Sequence, residues 1–390
     1  TATVGQAQLT ENRTSTAMGT LQGKVSGVNI TSLGTGPAGS TQIRIRGNSS
    51  FSGANTPLIV VNGVPLDNTH YGSGGGLDAV DGGDCLSSLN PDDIESITVL
   101  KGAAAAALYG SRAKDGVLMI TTKLKGDSKG LGVNYNMNYT TETPLDYTDF
   151  QYEYGQGEKG VRPTTAWPTS GVWSFGEKIV PGMTQTLFNG IVVPYEAVTD
   201  RIKQFYRIGS NLSNTVSFSN NGENGGFDLS LSETKNTSIL ENSDFARKNI
   251  TLGFTQNISK WITVSGNVNY SNEFNHNPAQ VGGQDLSSSS AVWTTSNTMP
   301  WDVLKANYKD ANGNENLWSR FIPRSNPYWS LYEHFDDINR DRIFGNIAVK
   351  LNLTKDIYIQ GRLAQDYYAR QREYNNPTGT GSLPVAPSGY

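Results

Sequence analysis

The sequence predicts an N-terminal α+β domain of about 120 residues, followed by part of an antiparallel membrane β-barrel. Three observations predict it. Short strands and short helices interleave up to Lys123. Beyond that point apolar and polar residues alternate with period two. The connections between the alternating stretches are short on one rim and very long on the other.

Within the first part, Gln42-Ile43-Arg44-Ile45-Arg46 alternates polar and apolar residues, the pattern of a strand with one wet face, and Gly47 ends it. Leu58–Val61 is a continuous apolar run suited to a strand buried on both faces. Asn62-Gly63 is a tight-turn pair, and Pro65 blocks further ladder pairing. Residues 90–95 read as a capped helical turn, with Asn90 as the cap, Pro91 at the first helical position, and Asp92 and Asp93 in the first turn. A short strand over 96–100 follows. The alanine-rich segment 103–109 reads as a helix stopped by Gly110, slim enough to pack closely against a sheet or a barrel wall. Residues 117–122, rich in apolar and β-branched side chains, make the closing strand.

Two blocks carry a family resemblance. LSSLNPDDIESITVLKGAAAAALYGSRAKDGVLMITTK (86–123) resembles the second half of the plug domain of TonB-dependent outer-membrane transporters, in particular the SusC/RagA-like branch. STQIRIRGNSSFSGANTPLIVVNGVPLD (40–67) resembles the first half, in the right order and spacing. The resemblance is at the level of motifs over residues 20 to 125 or so. Asn62 stands where an acid is usual, Gly102 where an Asp is usual, and Lys114-Asp115 replaces a smaller pair; none of these touches the fold argument. The resemblance implies a plug domain over 1–125, seated in the lumen of a barrel that begins at 126.

Composition agrees with a β-rich chain full of turns. Its 390 residues carry a net charge of -4, only 17% charged side chains, 10% aromatic ones and 43 glycines. Mild acidity without a Lys/Arg cluster excludes a nucleic-acid footprint. One cysteine, Cys85, forms no intramolecular disulfide, and with three histidines no zinc spacing arises; Cys85 reads as a small buried residue. No apolar run reaches the roughly 20 residues of a spanning helix, which leaves strands free to cross a membrane. The chain opens on a threonine without a signal peptide, as a mature or trimmed form does.

In the second part the clearest strand is 131–140. Leu131, Val133, Tyr135, Met137 and Tyr139 point one way, and Gly132, Asn134, Asn136, Asn138 and Thr140 the other. The pattern returns around Val216, Leu229, Leu252, Val268, Ile347 and Leu363, giving about seven strands. Connections near 220–226, 259–260 and 354–356 are short, whereas 142–210 and 275–340 are very long. Outer-membrane barrels are built this way, with the short rim periplasmic and the long loops extracellular. Trp261, Tyr139, Tyr270 and Tyr367 suit interfacial girdles. Seven strands cannot close around a plug, which takes a barrel of roughly 22. The expectation is therefore the N-terminal part of a longer barrel protein spanning 126–390.

Six tryptophans fall in the long loops: Trp167, Trp173, Trp293, Trp301, Trp318 and Trp329, accompanied by Phe175, Phe321, Tyr328 and Tyr332. Flat aromatic faces match the C–H face of a sugar and equally bury apolar peptide side chains. Candidate substrate contacts are Trp167, Trp173, Trp301, Trp318 and Trp329, together with His70 and Tyr71 on the glycine-rich segment 68–83, which is placed to form a cavity floor. For each ring the competing reading is a loop mini-core or a subunit contact. Asp78, Asp81 and Asp84 have a spacing loosely suggestive of calcium but lack the ligand pattern of a dedicated loop, so no metal and no cofactor is expected. Nor is catalysis: Asp92-Asp93 already caps a helix, Gly102 lacks a phosphate loop's lysine, and His70, His276 and His334 are scattered.

The resemblance implies active import of a nutrient across the outer membrane, oligosaccharide favoured over peptide. A SusD-like surface lipoprotein would serve as lid, and the TonB–ExbB–ExbD complex would pull on a segment N-terminal to the plug. The alternative is a non-transporting outer-membrane receptor or a structural component of a secretion or adhesion assembly. A third, a soluble glycan-binding β protein, predicts extraction without detergent.

Overall fold

A computed structural model describes residues 1–11, 16–32, 39–48, 50, 55–68, 80–127, 129–166, 173–280, 287–318 and 325–381. The N-terminal domain runs β1 (Ala2–Gly5), α1 (Gln6–Glu11), α2 (Ala17–Leu21), β2 (Val28–Ser32), β3 (Thr41–Ile45), β4 (Leu58–Val61), β5 (Val64–Pro65), β6 (Ile94–Leu100), α3 (Ala103–Tyr109) and β7 (Val117–Thr122). Its main sheet has the order β1-β6-β7-β4-β5, and β2 pairs with β3 separately. β7 is central, parallel to β4 and antiparallel to β6, which is why it and β4 are apolar on both faces. Asn62 (φ 50°) and Gly63 (φ 80°) make the turn from β4 into β5 with two left-handed residues, as a two-residue hairpin of the primed type requires. Pro65 still pairs, opposite Val60, and ends the two-residue strand. Asn90 caps a 3₁₀ turn (Pro91–Asp93), its side chain accepting from the Asp92 amide. Met18, Leu21, Ile43, Ile59, Ile97 and Leu118 anchor the core. Cys85 is buried as expected, its thiol donating to Asn68 Oδ1 (3.0 Å), and burial pushes the thiol pKa up.

The second part is built around a seven-stranded antiparallel meander. Its first strand is β8 (Gly130–Glu142). After a long excursion with β9 (Thr184–Thr186), β10 (Val192–Pro194) and α4 (Arg201–Phe205) come β11 (Gly209–Gly222), β12 (Gly225–Thr237), β13 (Asp244–Asn257) and β14 (Ile262–His276). A second excursion carries α5 (Ser288–Thr294), α6 (Trp301–Ala306) and α7 (Pro327–Tyr332), and β15 (Phe335–Asn352) and β16 (Tyr358–Asn375) complete the wall. The register puts one apolar residue from each strand into a single row across the wall: Tyr135, Val216, Leu231, Ile250, Tyr270, Ile343 and Tyr367. The row two residues further along each strand pairs Val133, Phe218, Leu229, Leu252 and Val268 in the same way. Because the side-chain period is two, the residues between them form the opposite face, which is polar: Asn136, Thr215, Ser232, Asn249, Ser271 and Arg342 make one such row. A greasy face that stays exposed beside a polar face that is covered is the inverse of a soluble sandwich and matches a barrel wall in lipid.

The N-terminal domain packs on the polar face. A few apolar side chains share the wet face: Phe245 and Ile338 are buried there, and Phe344, 2% exposed, joins the domain's own core. The expected connection lengths hold, but the two long ones are not bare loops. They fold against each other on a shared core of Leu187, Phe205, Val292, Met299, Leu304 and Leu331, among others. Among the described residues no helix is long and apolar enough to cross a membrane.

Candidate functional site

Two places on this scaffold carry functional chemistry: the seam between domain and wall, and a cleft among the long connections. The seam rests on the turn 84–93. Asp84 ties it to β3, accepting from the Thr41 amide (2.7 Å) and from the amides of Leu86 (3.0 Å) and Ser87 (3.2 Å). Asp81 accepts from the Ser40 amide (2.6 Å) and hydroxyl (2.5 Å). The calcium-like spacing of these acids is thus spent on internal hydrogen bonds; Asp78, the third, lies outside the described residues. Among the described residues no group of three potential metal ligands forms.

From this turn the contacts cross to the wall. Arg340 and Glu273, on adjacent strands, form an ion pair at 2.5 Å with side chains 4% and 5% exposed. Arg340 Nη2 also donates to Ser87 Oγ (2.5 Å), and Ser88 Oγ donates to Glu273 (2.9 Å). Arg247 donates to the Ser87 carbonyl, and Asn249 Nδ2 to that of Ser88 (2.6 Å). Asn136 reaches Asp92 (2.8 Å) and Asn90 reaches Thr215 (3.3 Å). At the far side Arg342 joins Asp366 (2.7 Å) to the Asp67 carbonyl (3.0 Å). The hairpin tip is held by Arg362 Nη1 on the Asn62 carbonyl (3.0 Å). A side chain at Gly63 would meet that guanidinium, a second reason for glycine there beyond its φ. Apart from Phe344 the contacts named across the seam are polar, so water can replace them if the domain withdraws. Asp93 sits at its centre, and burial pushes its carboxyl up to about 6.

The loops sort the predicted rings. Trp301, Trp318 and Trp329 are 4%, 0% and 1% exposed, and each indole N–H has an acceptor: the Arg201 carbonyl, the Ser325 carbonyl and, beyond the last wall strand, Thr380 Oγ1. Their burial favours the competing reading for these three rings, a mini-core of the folded connections, over faces offered to a substrate. Trp173 and Trp293 do present open faces, at 38% and 59% exposure. With Phe150 and Phe175 they line a cleft of about 220 Å³. An adjoining hollow of about 590 Å³ shares Gln151, Ser174 and Phe175 and adds Tyr152 and Tyr154. Asn297 fixes the cleft by clamping the two connections: its Nδ2 donates to the carbonyls of Gln151 (2.9 Å) and Tyr154 (2.8 Å), and its amide to Ser174 Oγ (3.0 Å). Arg201 lines the cleft, 3% exposed, and burial pulls its pKa down to about 10, so it is a cation at neutral pH. Sequence reasoning missed Arg201, Asn297, Phe150 and the seam; nothing in a lone arginine's neighbours announces its burial. His70, Tyr71, Trp167 and Phe321 lie outside the described residues.

Residues 1–117 match the family model of the TonB-dependent receptor plug domain. Over 373 residues the chain is 29% identical to the TonB-dependent receptor SusC of Bacteroides thetaiotaomicron, covering 92% of this chain and 34% of SusC. Its fold superposes on the RagAB peptide importer in the closed-closed state with a TM-score of 0.69 at 18% identity, over 98% of this chain and 42% of that one. The unliganded ferric citrate transporter FecA gives a TM-score of 0.51 at 13% identity, over 97% of this chain and 40% of that one. The chain therefore spans about a third of SusC's own length. Domain, wall and relatives agree: residues 1–117 match the TonB-dependent receptor plug domain, and the chain as a whole is similar to the plug and part of the β-barrel of TonB-dependent receptors such as SusC.

Proposed function

We propose that the protein imports a nutrient across the bacterial outer membrane by TonB-dependent movement of the plug. In this reading residues 1–125 are the plug and 126–390 the first part of the barrel, with the connections at 142–210 and 275–340 on the extracellular side. Substrate enters from the long-loop rim and is held on aromatic faces, Trp173 and Trp293 first, with Trp167, His70 and Tyr71 as further contacts. An oligosaccharide fits flat, exposed rings flanked by amide and hydroxyl groups better than a purely apolar ligand does. A SusD-like lipoprotein closes the site from above, and the TonB–ExbB–ExbD complex pulls from below. The observation that supports the reading is the wet seam: apart from Phe344, the contacts described between plug and wall are hydrogen bonds, several of them to wall arginines that are themselves paired with acids on neighbouring wall strands, and such a seam can let go into water.

The test is uptake of labelled oligosaccharides and peptides by cells carrying the complete protein, with and without collapse of the proton gradient. Accumulation that stops on collapse is the expected result. Accumulation unchanged by collapse, or none with any probe, ends the transport reading in favour of a non-transporting receptor.

A further inference from the structure

Arg201 is the one feature of the cleft that hydrophobic stacking leaves unexplained. It is 3% exposed, yet its guanidinium has a single hydrogen-bond acceptor: Nη1 donates to the Ser296 carbonyl at 2.6 Å. Nε and Nη2 are buried without a partner. Its neighbour Asp200 pairs with Lys203 instead (3.8 Å), and among the described residues no carboxylate pairs with Arg201. The guanidinium carbon lies over the Trp301 ring, 5.1 Å from its centroid, a cation–π contact that holds the group in place. A buried cation lacking an acid is a costly arrangement, tolerated where something supplies the acid.

Which atoms are free matters as much as that they are free. Nε and Nη2 form one edge of the guanidinium fork, the edge that takes a planar carboxylate with two parallel N–H···O bonds. The partnered nitrogen is the one outside that edge. Around the cleft stand Trp173, Phe175, Trp293 and Phe150, the last two in an edge-to-face pair at 6.0 Å. The fork and the aromatic faces lie in one recess, clamped by Asn297, itself with a buried Oδ1 that accepts no hydrogen bond.

We propose that the Arg201 cleft is a carboxylate subsite: it takes a substrate unit that carries a carboxylate on or beside a ring or apolar group. This rests on the import reading and narrows its substrate class to acidic ligands. Two sources share the chemistry, a uronic acid residue of an oligosaccharide and the C-terminal carboxylate of a peptide.

The test uses the complete protein with its partner lipoprotein and isothermal titration calorimetry. The probes are an oligogalacturonate and its carboxyl-reduced neutral counterpart, and tetra-alanine with a free or amidated C-terminus. In the wild type the acidic member of one pair binds roughly tenfold to a hundredfold tighter than its neutral partner, as a charged bidentate contact provides; which pair shows it names the source. Arg201→Met brings that ratio to about one. Arg201→Lys keeps the charge but not the fork, and retains only part of the preference. If neutral and acidic probes bind the wild type equally, the carboxylate subsite is overturned while the import reading stands, and this comparison needs no variant to fold. If no probe binds at all, both fall.

Discussion

Substituting Glu273→Gln tests whether the seam holds the plug by desolvated charge. Glu273 accepts from Arg340 (2.5 Å), Ser88 Oγ (2.9 Å) and Ser271 Oγ (3.2 Å), and with the plug seated both members of the pair are almost fully buried. Arg247, fully buried, lies within reach of the same carboxylate's field. Glutamine keeps the volume and removes the charge, leaving two guanidinium groups to repel each other beneath the plug. Breaking a buried pair from one side costs about 3–5 kcal/mol. When the 84–93 turn lifts away, water reaches the arginines and most of that cost disappears. The substitution therefore penalises the seated state and spares the open one. A loss of about 3 kcal/mol in the opening free energy raises hydrogen exchange of the amides over 86–94 by roughly 150-fold under conditions where reclosing outruns exchange. Mass-resolved exchange of the purified protein reads this directly. A companion variant, Glu273→Met with Arg340→Met, removes both charges at similar volume and returns exchange to near the wild-type rate. Acceleration below about fivefold in the single variant would mean that the seam is already hydrated, and the reasoning fails.

Two further outcomes follow from the same structure. Asp93, with its folded pKa pushed from 3.8 up to about 6, favours its neutral form when seated, so it weakens seating fully above about pH 6 and not at all below about pH 4. Asp93→Asn is expected to raise the plug's thermal midpoint at pH 7.5, by an amount corresponding to at most about 3 kcal/mol, and to leave it unchanged at pH 4; equal effects at both pH values refute the assignment. In the loops, Trp301→Ala removes a ring buried against Arg201 and Phe205 and is expected to cost about 3–5 kcal/mol of loop stability, seen as rapid proteolysis within 142–210, whereas Trp173→Ala weakens oligosaccharide binding and leaves proteolysis as it was. Equal protease resistance in the two variants would undo the division between core rings and binding rings.

What was legible in the sequence follows the physics of period two. The wall strands announce themselves because lipid demands an apolar residue at every second position, as in Leu131, Val133, Tyr135, Met137 and Tyr139. The Asn62-Gly63 turn and the Asn90 cap are legible because each asks for a backbone conformation or a capping oxygen that few residues supply. β1, α1, α2 and β2 escaped notice: they are four to six residues long, and their burial comes from packing against β6 and β3, which no local pattern records. The loop tryptophans show the same limit from the other side. Composition marks Trp173 and Trp301 alike, and only the fold decides that one faces outward while the other supports a cation.

The seam was the least legible part, for a reason that bears on function. On the lumen face, sequence permits any residue that water tolerates, so Arg247, Glu273, Arg340 and Arg342 read simply as polar positions of an alternating strand. Their pairing is specified across sequence separations of 67 residues between Glu273 and Arg340, and 253 between Ser87 and Arg340. Phe344 is the apolar side chain of this face that joins the plug's core, whereas Phe245 on β13 and Ile338 on β15 are buried on the same face outside that core. Between these few apolar positions the face is made of arginines, asparagines, hydroxyls and acids, which gives a seam whose strength depends on charge and hydration, so that water entering it weakens the polar contacts of the row together.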